Sequence, residues 1–301
     1  KTPQAVALTT NGTQVFVKKG SVFTQGFLPS ADYISIQSYG HGYGTAIPKI
    51  DVSSQVTGSA QRGIDGAAGI VGFSASDLEI YGGALTGCLG IYLAPITFDN
   101  AGYSAYRGTR LTRIKIHGFR PPVNTTSGGT GIFTAGGGLT IQHSEVTDCT
   151  NENIWNAGDD LTVHNCYFAF PDQENHTTAE GDCIQTSTRY ANARITNVTM
   201  DHSNRSSKQC LIFEGASTGQ AGIVVANNLF IGANPDTTVA SNTTLAMKMF
   251  YMGYAQAPLI TRNVMIGGAY ATGLEATLGC TDVKFIDNYA DGYWRDTFLL
   301  N

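Results

Sequence analysis

Short apolar–polar alternations recur along the chain, each three to five residues long and each ended by Gly, Asn or a polar turn. They begin with Val15-Phe16-Val17 and Tyr33-Ile34-Ser35-Ile36. From Asp77 onward they fall into a repeating set. Leu78-Glu79-Ile80-Tyr81, Leu111-Thr112-Arg113-Ile114, Leu139-Thr140-Ile141-Gln142 and Leu161-Thr162-Val163-His164 come first. Ala193-Arg194-Ile195-Thr196, Ile223-Val224-Val225-Ala226, Leu259-Ile260-Thr261-Arg262 and Val283-Lys284-Phe285-Ile286 follow. Alternation of period two is the mark of a half-buried strand. Helical periodicity is scarce.

Five asparagines close these strands: Asn165, Asn197, Asn228, Asn263 and Asn288, separated by 32, 31, 35 and 25 residues. A short apolar patch follows each, such as Tyr167-Phe168 or Leu229-Phe230-Ile231. Self-similarity at 20–40 residues signals a solenoid, and its irregular period signals loops of variable length inserted into a constant coil. Asn at a repeated corner has a physical basis. It tolerates left-handed backbone, and its amide both donates to and accepts from a neighbour one coil away. A second strand set lies between: Asn153–Asn156, Asp182–Gln185, Cys210–Glu214, Met247–Phe250 and Leu274–Thr277. Each coil is therefore expected to hold two strands plus the apolar patch as a third.

The expected fold is all-β, a single solenoid domain over residues 1–301. Residues 1–26 are read as an N-terminal cap and 33–292 as repeats. Asp51–Gly72, rich in Gly and Ser, reads as a long excursion. Composition agrees, with 36 Gly and 14% charged residues. A net charge of -5 and a pI near 5.6 lack the basic footprint of a nucleic-acid binder. No run of about 18 apolar residues predicts a membrane-inserted helix. Six cysteines (88, 149, 166, 183, 210, 280) fit no metal-binding spacing. Free buried thiols are expected, with one Cys183–Cys210 bridge as the alternative in an oxidising compartment. The opening at Lys1, without a signal peptide, is what a processed chain would show.

The repeat resembles the pectate-lyase-like superfamily of right-handed parallel β-helices. Ala193-Arg194-Ile195-Thr196-Asn197-Val198-Thr199-Met200 and Ile223-Val224-Val225-Ala226-Asn227-Asn228-Leu229-Phe230 carry the resemblance, which extends over about residues 33–292. The Asn positions look like that superfamily's corner ladder. The resemblance implies a long polysaccharide lying along one face of the coil. It does not choose among lyases, hydrolases, epimerases and phage tailspikes. Gly158-Asp159-Asp160, Gly181-Asp182-Cys183-Ile184 and Gly40-His41-Gly42 echo the polygalacturonase-type hydrolases. Here, however, Gly-His-Gly precedes the aspartates instead of following them. The Arg-x-Pro-x-x-Arg pattern of pectate lyases is absent, and Arg120-Pro121-Pro122 reads as a turn.

Aligning the second strand set predicts Ile154, Ile184, Leu211, Met247 and Leu274 inward. It predicts an outward column of Trp155, Gln185, Ile212, Lys248 and Glu275, and a second of Ser187, Glu214, Phe250 and Thr277. An aromatic, carboxylates and a lysine in one stripe suit a sugar groove. Glu180 and Asp182, beside the long loop 171–179, are candidates for acid/base work or for Ca2+. Glu214 and Lys248 are the other catalytic candidates, since a lysine among apolar groups can act as a base. Trp155, Gln185, Arg189, His176, Lys208 and Glu275 are candidate substrate contacts, with Arg205 a further cation.

Three functions remain open at this level. The first is a secreted lyase acting by β-elimination on a uronic-acid polysaccharide. The second is a glycoside hydrolase using paired carboxylates such as Asp182 and Glu214. The third is a non-catalytic carbohydrate-binding β-helix or adhesin, including one on a phage virion surface.

Overall fold

A computed structural model describes residues 6–40, 46–55, 61–93, 107–121, 128–169, 181–187, 189–203, 209–214, 219–232, 248–267, 272–277, 279–291 and 298–300. Every strand pair in it is parallel and joins one coil to the next. An eleven-stranded sheet runs the length of the solenoid, from Val6–Leu8 through Arg62–Gly66, Ile154–Ala157 and Ile184–Thr186 to Phe298–Leu300. A second ladder holds Thr162–His164, Arg194–Thr196, Val224–Ala226 and their counterparts. A third holds Tyr167–Ala169, Thr199–Asp201 and Leu229–Ile231. The second and third ladders merge where Ser74–Gly83 and Arg110–Phe119 run through both. The chain thus winds as a right-handed parallel β-helix, the hand that parallel crossovers take.

Inside the coil, side chains of one type stack in columns. Ile64, Ile91, Ile132, Ile154, Ile184, Leu211 and Phe250 form one such column, all 1% exposed or less. Each side chain of this size removed from water contributes about 1.5–3 kcal/mol, so the column is the axis of the core. Its counterparts include Val163, Ile195, Val225 and Ile260 on the second ladder, and Val146, Phe168, Met200 and Phe230 on the third.

The corner between the second and third ladders is a single residue in left-handed conformation. Asp77, Arg113, His143, Asn165, Asn197, Asn227, Arg262 and Asp287 occupy it, with φ between 51° and 58°. The repeated asparagines therefore belong to two columns, not one. Asn165 and Asn197 make the bend itself. Asn228, Asn263 and Asn288 stand one residue later and form the hydrogen-bonded ladder. Asn228 Nδ2 donates to Asn263 Oδ1 at 2.9 Å, and Asn263 Nδ2 donates to Asn288 Oδ1 at 2.8 Å. In earlier coils other side chains fill that second position, as where Ser144 Oγ accepts from the Ile114 amide at 3.1 Å.

Within the span read as a cap, Val6–Leu8, Gln14–Lys18 and Val22–Phe23 join the three ladders as the first described coil. The Asp51–Gly72 excursion contains a strand, Arg62–Gly66, in register with Leu89–Leu93. Its glycines hid it. A Cβ at Gly63 would stand 2.2 Å from Ile80 Cγ2, so the coil closes there only without a side chain.

Candidate functional site

The outer face of the eleven-stranded sheet alternates with the buried Ile column. Register places Asp65, Tyr92, Phe133, Trp155, Gln185, Ile212, Tyr251 and Glu275 in one outward column. Its first half is a continuous stack. The Arg62 guanidinium lies 4.0 Å above the Tyr92 ring and is paired to Asp65 at 2.8 Å. Tyr92 and Phe133 follow with centroids 5.1 Å apart, then Phe133 and Trp155 at 4.4 Å with 9° between planes. These rings lie across the coil axis and cover each other's faces. Phe133 covers one face of Trp155.

Beyond the stack the face becomes polar. Gln185 Nε2 donates to Glu214 Oε1 across one coil boundary. Gln185 is 5% exposed and Glu214 half-buried. Ser187 stands beside Glu214 in the preceding coil, one residue beyond the Thr186–Phe213 pair. On the other side stands Gly253, one residue beyond the Phe213–Met252 pair. A methyl group there would lie 4.0 Å from the Tyr251 hydroxyl, which therefore hangs over the gap next to Glu214. Beneath them the Tyr190 hydroxyl donates to the Gly253 carbonyl. Burial pushes that phenol up, and Cys280, Tyr251 and Glu214 add to the rise. Tyr190 is thus a fixed donor.

The other candidates separate. Arg189 sits at the rim, its Nη2 2.8 Å from Asp159 Oδ2. Asp160, next to Asp159, bends the chain with φ +60°. Asp182 is fully buried. It is in register with Glu152, itself buried and accepting from Thr130 Oγ1 at 2.9 Å. Ile184 pairs with Leu211, which aligns Asp182 with Gln209, five positions before Glu214. At about 3.3 Å per residue the two carboxyl-bearing positions lie roughly 16 Å apart along the strand.

Lys248 pairs with Gln209 and Thr272, and so belongs to the column of Asp182, not that of Gln185. The expected register was off by three residues, with Phe250 at the inward position assigned to Met247 and Tyr251 at the outward position assigned to Lys248. Gly253, not Phe250, neighbours Glu214. Glu275 keeps its place in the outward column, with Tyr251 instead of Lys248 as its register neighbour. Glu180, His176, Lys208 and Arg205 lie outside the described residues. Among the described residues no group of three or more His, Cys, Asp or Glu is placed to hold a metal ion.

Tyr251, Tyr92, Phe133 and Arg62 escaped the sequence reading. A signal for Tyr92 and Phe133 was present. Gly63-Ile64-Asp65, Gly90-Ile91-Tyr92 and Gly131-Ile132-Phe133 repeat the frame of Asn153-Ile154-Trp155 and Cys183-Ile184-Gln185.

No family model and no curated protein matches this chain. Among solved structures, the A-module of mannuronan C-5 epimerase AlgE4 from Azotobacter vinelandii is similar, with 13% identity over 96% of this chain and 89% of that one, and a TM-score of 0.38. The GH136 lacto-N-biosidase from Eubacterium ramulus shares 13% identity over 96% of this chain at a TM-score of 0.42. This chain covers 51% of that one. A DFA-IIIase from Arthrobacter chlorophenolicus A6, without its lid, shares 10% identity over 93% of this chain and 88% of its own, at a TM-score of 0.27. Overlaps this loose say nothing of chemistry, and the fold rests on the strand ladders themselves.

Proposed function

We propose that this protein is a polysaccharide-processing enzyme working along the outer face of the eleven-stranded sheet, and that its reaction is β-elimination on a uronic-acid polysaccharide. The observation that carries this reading is the Gln185–Glu214 hydrogen bond beside the Tyr251 hydroxyl, on an outward face. Elimination needs a base for the sugar C5 proton, a proton for the leaving oxygen, and charge neutralisation at the uronate carboxylate. In this reading Glu214 takes the C5 proton and the Tyr251 phenol gives its proton to the leaving oxygen. The Gln185 amide and Arg189, turned from Asp159, hold the carboxylate. The edges of Phe133 and Trp155 line the apolar end of the groove.

Hydrolysis by Asp182 and Glu214 fits less well. Retaining and inverting pairs stand about 5–10 Å apart, against the roughly 16 Å between these strand positions. An extracellular location goes with the reading, since such polymers lie outside cells.

Incubation with a panel of uronic and neutral polysaccharides tests it. Unsaturated-sugar absorbance that disappears in Glu214→Gln is the expected result. New reducing ends without that absorbance would mean hydrolysis. Retention of a glycan with no product of either kind would mean a binding module. Full turnover by Glu214→Gln would move the chemistry elsewhere.

A further inference from the structure

The six cysteines are free thiols in the structure, five of them buried. Four have ordinary surroundings. Cys88, Cys149 and Cys166 donate to carbonyls of Gly83, Thr147 and His164, and Cys280 to Met252. Cys183 and Cys210 also reach carbonyls, of Phe168 at 3.7 Å and Met200 at 3.9 Å, and differ in standing next to each other. Each immediately precedes a residue of the Ile184–Leu211 pair, so the two are direct neighbours on adjacent coils. Both side chains are fully buried in the core. Register neighbours in a parallel sheet have Cα atoms about 4.8 Å apart, within the roughly 4.4–6.8 Å that a disulfide spans. Among the described residues, no other two cysteines stand in register.

We propose that Cys183 and Cys210 are the site of a cross-coil disulfide, closed when the chain folds in the presence of a disulfide oxidant. One cysteine, as thiolate, attacks a sulfur of the oxidant and expels a thiolate. The second cysteine, losing its proton, attacks the mixed disulfide and expels the other half. The chain loses two electrons and two protons, and the oxidant becomes two thiols. Burial raises the Cys183 thiol well above its ordinary value, which starves the closed coil of nucleophile. Exchange therefore belongs to the open chain, before the strand of Cys210 docks. Once docked, the bond is out of reach of small reductants. It joins the strand of Gln185 to the strand of Glu214, two and four residues from the hydrogen-bonded pair.

The test needs no substrate, so its outcome is independent of the proposed reaction. The wild-type chain is secreted into an oxidising compartment such as a bacterial periplasm. It is then denatured in iodoacetamide without reductant and cut with trypsin plus a glutamate-specific protease. That digest separates Gly181–Arg189, holding Cys183, from Gln209–Glu214, holding Cys210. The expected product is these two peptides linked, two hydrogens lighter than their sum. It should also form when reduced chain is refolded in a glutathione–glutathione disulfide buffer, and should resist glutathione while the protein stays folded. Both peptides alkylated after both treatments would overturn the proposal, as would Cys183 linked to any other cysteine.

Discussion

Phe133 and Trp155 lie face to face on adjacent coils, 4.4 Å between ring centroids and 9° between planes. Each ring is the other's main neighbour on the outer face, and the Tyr92 ring extends the stack. Trp155→Ala should therefore destabilise the fold itself. Loss of the stack and of half-buried area predicts about 1–3 kcal/mol, read as a lower urea midpoint at unchanged slope. A tryptophan that served only a ligand would leave that midpoint in place.

Asn263 is the middle rung of the amide ladder. Its Oδ1 accepts from the backbone and side-chain amides of Asn228 at 3.0 and 2.9 Å. Its Nδ2 donates to the Val225 carbonyl at 3.0 Å and to Asn288. Asn263→Ala strands these partners in a fully buried place. A loss of about 2–4 kcal/mol is expected, and Asn263→Asp should not restore the donation to Val225. Thermal unfolding of the two variants checks both statements. Asn165→Ala, which only removes a left-handed preference, should cost less.

His202 is fully buried, and among the described residues neither ring nitrogen has a hydrogen-bond partner. Burial lowers its pKa from 6.5 to about 4, against a smaller opposite pull from Asp201. The unfolded chain thus takes up a proton below about pH 6.5 that the folded chain refuses until about pH 4. Stability is whole above that window and falls as pH falls through it, by about 3 kcal/mol in full. Between pH 6.5 and 5, before most carboxylates titrate, the wild type should lose stability that His202→Leu retains. At pH 7.5 the variant should match or exceed the wild type, because no partner is left unsatisfied. Equal slopes for the two proteins would place the acid-sensitive group elsewhere.

Gln185 keeps a neutral amide against Glu214. Gln185→Glu puts a second carboxylate there, and two carboxylates sharing a site hold a proton to higher pH. Once a substrate is in hand, the acid limb of the pH–rate profile should move upward in this variant. Gln185→Leu should lower turnover without that displacement. A profile untouched by either change would separate Gln185 from the chemistry.

How much of this was legible in the sequence differs by column. The core could be read, because a buried Ile column enforces a period-two pattern that chance seldom imitates. The corner was read half correctly. Asn227-Asn228 satisfies both the bend and the ladder, so a chain aligned on its asparagines merges two neighbouring positions into one. The strand Lys248–Gly253 failed for a related reason. Met247, Met249, Phe250 and Met252 are all apolar, and two frames three residues apart bury equally well on paper. An odd shift exchanges the faces, which is how Tyr251 was lost and Lys248 wrongly gained. Side-chain pairs such as Arg189–Asp159, separated by thirty residues and one coil, leave no trace in local periodicity.

Because every strand pairs only with the coil above and the coil below, the hydrogen bonds of all three ladders point along the solenoid axis. Tension applied end to end would load these bonds lengthwise, a few at a time, instead of shearing a whole strand at once. Such a rod yields by peeling, coil after coil, from whichever end holds the weaker rungs. Pulled across its width, the same molecule would resist far more.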